Sequence, residues 1–307
     1  MKLGKLITAT AMLALLAGSA TAATIGYSSP NFDDNFQTIL REAAKGYAES
    51  KGDKLLIEDA REDVGTQLSQ VQNFIASGVD AIVVAPVSTE ATPAITKLAK
   101  EAGIPLVYVN RRPADLDAFD GTATYVGSDN YQAGKLEGEA ACKAAGGKGD
   151  AVILIGFLRN EDAQNRTKAV KDVLATDDCK DIKVLAEQEG EWQRTKAQDI
   201  VANWLSAGTK PSIVFANNDE MALGAVQAMK SAGISMDDVV IAGVDATPDA
   251  IKSIEAGDMD ITVFQDAKGQ ATGSIDAALK MIGGEKLDKY IDVPFVTVTK
   301  ENLDQFK

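Results

Sequence analysis

The chemistry on offer sits where apolar runs end. Asn217 and Asn218 follow the run Ser212-Ile213-Val214-Phe215-Ala216, Asp245 ends Val239 to Val244, and Gln265 ends Ile261 to Phe264. Asn110 and Arg111 close the run from Ile104, Phe157 follows Ala151 to Gly156, and Glu189 to Trp192 follow Ile182 to Gln188. The first run, from Thr24, leads into Ser28, Ser29, Asn31, Phe32, Asp33 and Asp34, and Arg166 lies about a turn into the helical stretch after Phe157. If the runs are strands of open α/β sheets, their carboxyl ends are where such sheets bind ligands. Amides, carboxylates, arginines and flat aromatics together suit a neutral polyol. Hydroxyls donate to carboxylates and amide oxygens and accept from a guanidinium fork, while rings cover the apolar C–H faces. Each residue also has a plainer role: Arg111 in a surface ion pair, Trp192 in a core, Asp245 as a helix cap. Their convergence in both halves of the chain favours the binding reading.

Other chemistries are poorly supplied. The chain has 307 residues and no histidine, which excludes Ser-His and Cys-His catalysis and histidine metal sites. Its formal charge of −14 argues against a nucleic-acid partner, since phosphate binding needs a basic face. No G-x-x-x-x-G-K-[ST] or post-strand G-x-G-x-x-G loop is present, and Gly146 to Gly149 precedes a strand and reads as a helix stop. The acid pairs Asp33-Asp34 and Asp219-Glu220 read as solvated or helix-starting residues rather than general acids and bases. No calcium-loop pattern appears. No enzyme activity, cofactor or metal is expected.

The elements that must position these residues alternate. Strand patterns start near 24, 54, 81 and 105, then near 151, 182, 212 and 239, with helical patterns between them. One such helix shows Phe36, Ile39, Leu40, Ala43, Ala44 and Tyr47 on a single face. Alternating strands and helices predict βαβ units and parallel sheets. Two similar series predict two doubly wound lobes with a break near residues 124 to 130, and Ile291 to Val298 reads as one closing segment. Residues 1–22 carry Lys2 and Lys5, the apolar run Leu6 to Ala17 and the small-residue site Ala20-Thr21-Ala22, which predicts a cleaved signal peptide and export to the periplasm. Losing that leader would take the formal charge from −14 to −16. In an exported chain the only two cysteines, Cys142 and Cys179, could form one disulfide, with a structural role.

The chain resembles the exported sugar-binding proteins of ABC transporters, of the ribose-binding or type I periplasmic-binding family. The resemblance covers essentially all of the mature chain and rests on Tyr108 to Arg111, Gly156 to Arg166, Ala216 to Ala222, Ala242 to Asp249 and Thr262 to Gln265. It implies two doubly wound parallel-sheet lobes joined by a short multi-crossing hinge. Residues 23–129 with about 265–291 would form one lobe, and 130–264 with about 292–307 the other. By motif, the family's sugar contacts fall on Asn110, Arg111, Arg166, Trp192, Asn218, Asp245 and Gln265, and its first-loop contacts on Asp34 and Phe36. Asn110 and Trp192 depart from the ribose pattern, and Val109 to Pro113, Asp245 to Asp249 and Thr262 to Ala267 look more like the inositol and rhizopine binders. The resemblance therefore implies a monomeric receptor for myo-inositol or a close cyclitol that serves an ABC permease in the inner membrane. An aldose such as ribose, xylose or galactose is the alternative ligand, and presentation to a chemoreceptor or membrane kinase the alternative role. A DNA-binding regulator of the same fold would need a helix-turn-helix headpiece where this chain has a leader.

Overall fold

The computed structural model describes residues 22–307, so the leader expected at 1–22 lies, apart from Ala22, outside the described residues. The first half runs β1 (Thr24–Ser29), α1 (Asn35–Lys51), β2 (Lys54–Asp59), α2 (Val64–Ala76), β3 (Ala81–Val84), α3 (Thr92–Ala102), β4 (Leu106–Asn110) and β5 (Ala123–Gly127). The second half runs α4 (Asn130–Ala144), β6 (Lys148–Ile155), α5 (Glu161–Leu174), β7 (Asp181–Glu189), α6 (Arg194–Ser206), β8 (Ile213–Ala216), α7 (Asp219–Ser231), β9 (Val240–Asp245), α8 (Pro248–Ala256) and β10 (Ile261–Phe264). Then come α9 (Ala267–Ile282), β11 (Tyr290–Asp292) and β12 (Val296–Thr299).

Two six-stranded sheets result, in the orders β11-β5-β4-β3-β1-β2 and β12-β10-β9-β8-β6-β7. Every pairing is parallel except that of β12 with β10. Helices cover both faces of each sheet, which is why β3, β4, β5 and β8 are buried along their whole length and read as unbroken apolar runs. Side-chain caps fix where several helices begin: Asp34 accepts from the Gln37 N–H, Asp63 from Thr66, Asn218 from Met221 and Thr247 from Ala250.

The chain passes between the sheets three times, at residues 127–130, 264–267 and 292–296. Two details differ from the sequence reading. Residues 123–127, expected at the break, form a fully buried fifth strand, and the crossing follows it. The closing segment 291–298 is two strands, one in each sheet, because Pro294 cannot continue a hydrogen-bonded strand. After the second crossing, α9 returns to pack Ala267, Ala271 and Ile275 into the first core with Ile25, Val83 and Val107. Among the described residues no helix is long and apolar enough to cross a membrane.

Close packing of α4 on α5 sets the geometry beneath the second sheet's strand ends. Gly134 sits against the Arg166 carbonyl, and a Cβ there would collide with that oxygen. At the far end of the same helix pair, Cys142 and Cys179 form a disulfide, 37 residues apart in sequence and both buried. A cross-link closing a loop of that length restricts the unfolded chain and stabilises the fold by about 3–4 kcal/mol. Replacing both cysteines by alanine should lower the urea-unfolding free energy by about that amount. Because the bridge lies away from the strand ends, the replacement should leave the ligand-induced rise in unfolding temperature unchanged.

Candidate ligand-binding site

The carboxyl ends of the two sheets face each other across a small cavity of about 30 Å³, well below the usual size of small-molecule sites, as between halves drawn closely together. The first half contributes Asp34, Phe36, Gln37, Asn110 and Arg111, and the second Asp162, Arg166, Trp192, Asn218, Asp245 and Gln265. The structure thus gathers nine of the eleven residues singled out from the sequence. Phe32 and Phe157 are not among them. The Phe32 ring packs under the Arg41 guanidinium, 4.1 Å from its centroid, and Phe157 lies under Arg159 at 3.8 Å. In both cases a neighbouring cation takes the aromatic face expected for a ligand.

Gln37 and Asp162 line the cavity and were not foreseen. Asp162 lies four residues before Arg166 on α5, so the helical repeat puts both on one face. That spacing was a legible signal. Gln37 follows Phe36 in the first turn of α1, and its Nε2 donates to Asn110 Oδ1 at 2.7 Å. No periodicity marks it, because it is polar on a mostly buried face.

Several of these residues sit on unusual backbone. Asn110 has φ 68°, Trp192 φ 65° and Asp245 φ 127°. Left-handed or outlying backbone in residues with a Cβ costs on the order of 1–3 kcal/mol each and gathers at functional sites. Here it marks the last residues of β4 and β9 and the loop after β7, where the chain turns at the strand ends. Asn110 is held in that position by Gln37 on one side and Gln270 on the other, to which its Nδ2 donates at 3.2 Å. Asn218 caps α7 and donates Nδ2 to the Trp192 carbonyl at 3.3 Å, which fixes the tryptophan loop. Asn217 supports the turn, accepting from the Gly156 N–H and the Thr167 hydroxyl, each at 3.1 Å.

The two arginines are anchored differently. Arg166 is 3% exposed and donates Nε to Asn130 at 2.9 Å, Nη1 to the Asn217 carbonyl at 2.6 Å and Nη2 to Gln265 Oε1 at 3.0 Å. Arg111 donates Nη1 to the Pro86 carbonyl at 2.8 Å and keeps Glu62 at 3.8 Å. Both retain N–H groups beyond these partners.

Asp245 does not cap α8, which Thr247 does. Its nearest cation is Arg166, with 4.0 Å between Oδ1 and Nη1. Burial pushes the Asp245 carboxyl well above its ordinary range, against the pull of Arg166. Burial also raises Asp34, opposed by the Gln37 N–H and Arg111. Buried polar atoms without a protein partner lie on the same ring of residues: Gln37 Oε1, Asp162 Oδ1, Trp192 Nε1 and Gln265 Nε2. Such atoms are costly unless something hydrogen-bonds them. A molecule with several hydroxyls would meet acceptors on Asp34, Asp162 and Asp245 and donors on Arg111, Arg166 and Gln265.

Residues 25–286 match the family described as periplasmic binding protein domain. The chain belongs to that family. A Rhizobium meliloti protein named for rhizopine binding is 52% identical over 304 residues, covering 99% of this chain and 98% of its own length. A Bacillus halodurans ABC-transporter solute-binding protein, solved with bound myo-inositol, superposes with a TM-score of 0.87 at 36% identity, covering 94% of this chain and 98% of that one. The Caulobacter myo-inositol binding protein, also solved with myo-inositol, gives 0.86 at 26% identity, covering 94% and 97%. The protein therefore has the type I periplasmic-binding fold, and these relatives are solute-binding proteins.

Beneath the strand ends lies one further buried acid. Glu137, on α4, accepts from the Ala216 N–H at 3.0 Å through Oε1, while Oε2 has no partner. Burial pushes its carboxyl up to about 8, against the Ala216 hydrogen bond and the Arg166 charge. The folded protein thus holds a proton that the unfolded chain releases near its ordinary value of about 4.3. Stability from this group is full at low pH, falls as pH rises towards 8 and levels off above it. Glu137→Gln keeps the acceptor for Ala216 and removes the charge. Its stability advantage over the wild type should grow by about 2–4 kcal/mol between pH 5 and pH 9 in urea titrations. Parallel pH profiles would show that Glu137 does not titrate in that range.

Proposed function

We propose that the protein is the exported receptor of an ABC importer. It binds myo-inositol or a close cyclitol between its two halves, closes on it and delivers it to an inner-membrane permease. The observation that carries this reading is the cavity itself: three carboxylates, four amide side chains and two arginines, with Phe36 from one half and Trp192 from the other, all between two sheets joined by three short crossings. A cyclitol offers hydroxyls around a whole ring, matching acceptors and donors placed on both halves. Its ring C–H groups need the apolar faces of the two aromatics. The bound inositol in two relatives and the rhizopine name of a third support the cyclitol over other polyols.

The cavity also argues for retention without turnover. It contains no histidine or cysteine. A carboxylate raised by burial, as Asp245 is, holds a hydroxyl better than water does, because a donor arriving there restores the hydrogen bonds that burial removed. Closure then works as hinge motion, with the bound solute stabilising one relative placement of the halves.

Thermal unfolding of the mature protein against inositols, pentoses and hexoses tests the ligand. At a hundredfold excess over Kd a bound ligand adds about 2.7 kcal/mol. Myo-inositol should raise the unfolding temperature most and be recovered chemically unchanged. A ribose, xylose or galactose shift with none for inositol would replace the cyclitol by an aldose. Asp245→Ala should abolish the shift. The ligand-free variant should still unfold cooperatively near the wild-type temperature, since the substitution removes a carboxylate whose burial is unfavourable together with only a long, 4.0 Å ion pair to Arg166.

A further inference from the structure

The rim of the cavity carries charged contacts between the halves that the ligand reading does not use, and the shortest runs through Glu62. Glu62 stands on the turn between β2 and α2, where Arg61 and Glu62 both have left-handed backbone, φ 52° and 56°. The Glu62 N–H donates to the Pro30 carbonyl at 2.7 Å, so the turn is pinned and its side chain is directed across the cleft. Oε1 faces Nη2 of Arg111 at 3.8 Å, and Oε2 accepts from Nη2 of Arg159 at 2.5 Å. Arg111 lines the cavity from the first half, whereas Arg159 belongs to the loop after β6 in the second. Arg159 is itself fixed, with its guanidinium stacked on Phe157 and its Nε donating to the Val87 carbonyl of the first half at 3.3 Å.

We propose that Glu62 is a positioning residue that latches the closed form: one carboxylate orients Arg111 towards the ligand and, only when the halves meet, pairs with Arg159. The inference rests on the solute-receptor reading above. Glu62 and Arg159 side chains are 18% and 35% exposed, so the pair is partly shielded from solvent. The other cross-cleft contacts are weaker in chemistry. Arg112 to Glu161 is 3.4 Å and more exposed, Asn35 to Glu220 is a 3.2 Å bond from a neutral amide, and Thr89 exchanges longer hydrogen bonds with Glu161 and Arg159. A contact made only after closure acts on escape of the ligand rather than on its entry. The same geometry gives Phe157 its role: it is the platform for the latch arginine.

Stopped-flow fluorescence of Trp192 with myo-inositol, or with whichever polyol of the panel binds the wild type, reads both rates. Arg159→Gln should speed dissociation roughly three- to tenfold and leave association within about twofold. Arg159→Lys should restore part of the loss, and Glu62→Gln combined with Arg159→Gln should dissociate no faster than the faster single variant. A purely structural role would lower the unfolding temperature of ligand-free Arg159→Gln, whereas the latch leaves it unchanged. Wild-type dissociation in Arg159→Gln, or losses that multiply in the double variant, would overturn the latch. If no polyol binds the wild type, the receptor reading falls. The latch is then decided on ligand-free protein by spin-label distances between the halves: a closed fraction lower in Arg159→Gln supports it, and equal fractions refute it.

Discussion

The structure depends on keeping one guanidinium, Arg166, dry while each of its three nitrogens holds a hydrogen bond. Burying a charge is tolerable only when hydrogen bonds surround it. The partners that surround this one come from places that must hold still for the site to exist. Asn130 opens α4 just after the first crossing, Gln265 begins the second crossing, and the Asn217 carbonyl ends β8. Arg166 therefore ties the strand ends of the second sheet to two of the three links between the sheets. The first half uses a neutral version of the same device: Asn110 is bound to Gln270 on α9, which donates in turn to Ser128 at the first crossing, 2.9 Å away. Residues facing the cavity are thus fastened to the segments about which the halves would move.

That arrangement explains why the cavity can stay polar. Three of its side chains are carboxylates, and two of them are pushed towards the neutral form by burial. An apolar cavity would be easier to fold but could not distinguish one hydroxyl pattern from another. A site whose buried groups lose their partners when the wrong isomer enters discriminates far more strongly than an apolar pocket does. The cost of the polar lining falls on the ligand-free protein, and the packed cores behind each sheet, along with the disulfide at the far end of α4, supply the compensating stability.

Most of the fold was legible because the central strands, β3, β4, β5 and β8, are covered on both faces. Runs such as Ala81 to Val84 carry no polar residue, and the residue that ends each run is conspicuous for that reason. The same logic placed Asn110, Asn218, Asp245 and Gln265 at one cavity before any geometry was known. It failed where the informative property was three-dimensional. Gln37 is set apart only by its bond to Asn110, a residue 73 positions away. Phe32 and Phe157 were well placed in sequence, yet Arg41 and Arg159, distant in role but near in space, took their faces. The strand at 123–127 was hidden by its position, since a break between halves was expected there and the crossing begins only two residues later.

Strained backbone and hinge position are connected. Asn110 and Asp245 have positive φ, which residues with a Cβ seldom adopt, and each lies at the end of a strand directly beside a strand that leads into a crossing. A relaxed, extended residue there would carry its side chain onward along the strand and out of the cleft. The turn brings the amide and the carboxylate to the strand ends, where groups from the other half can reach the same small molecule. The strain is held by flanking order: Gln37 and Gln270 clamp Asn110, while after Asp245 the Ala246 N–H donates to Thr262 at 3.1 Å and the Thr247 N–H to Asp219 at 2.7 Å. Asp219, which reads as a helix-starting acid in the sequence, is therefore structural in a stronger sense. It accepts from Thr247 and Thr262 together, lashing the loop after β9 to β10 so that Asp245 keeps its aim.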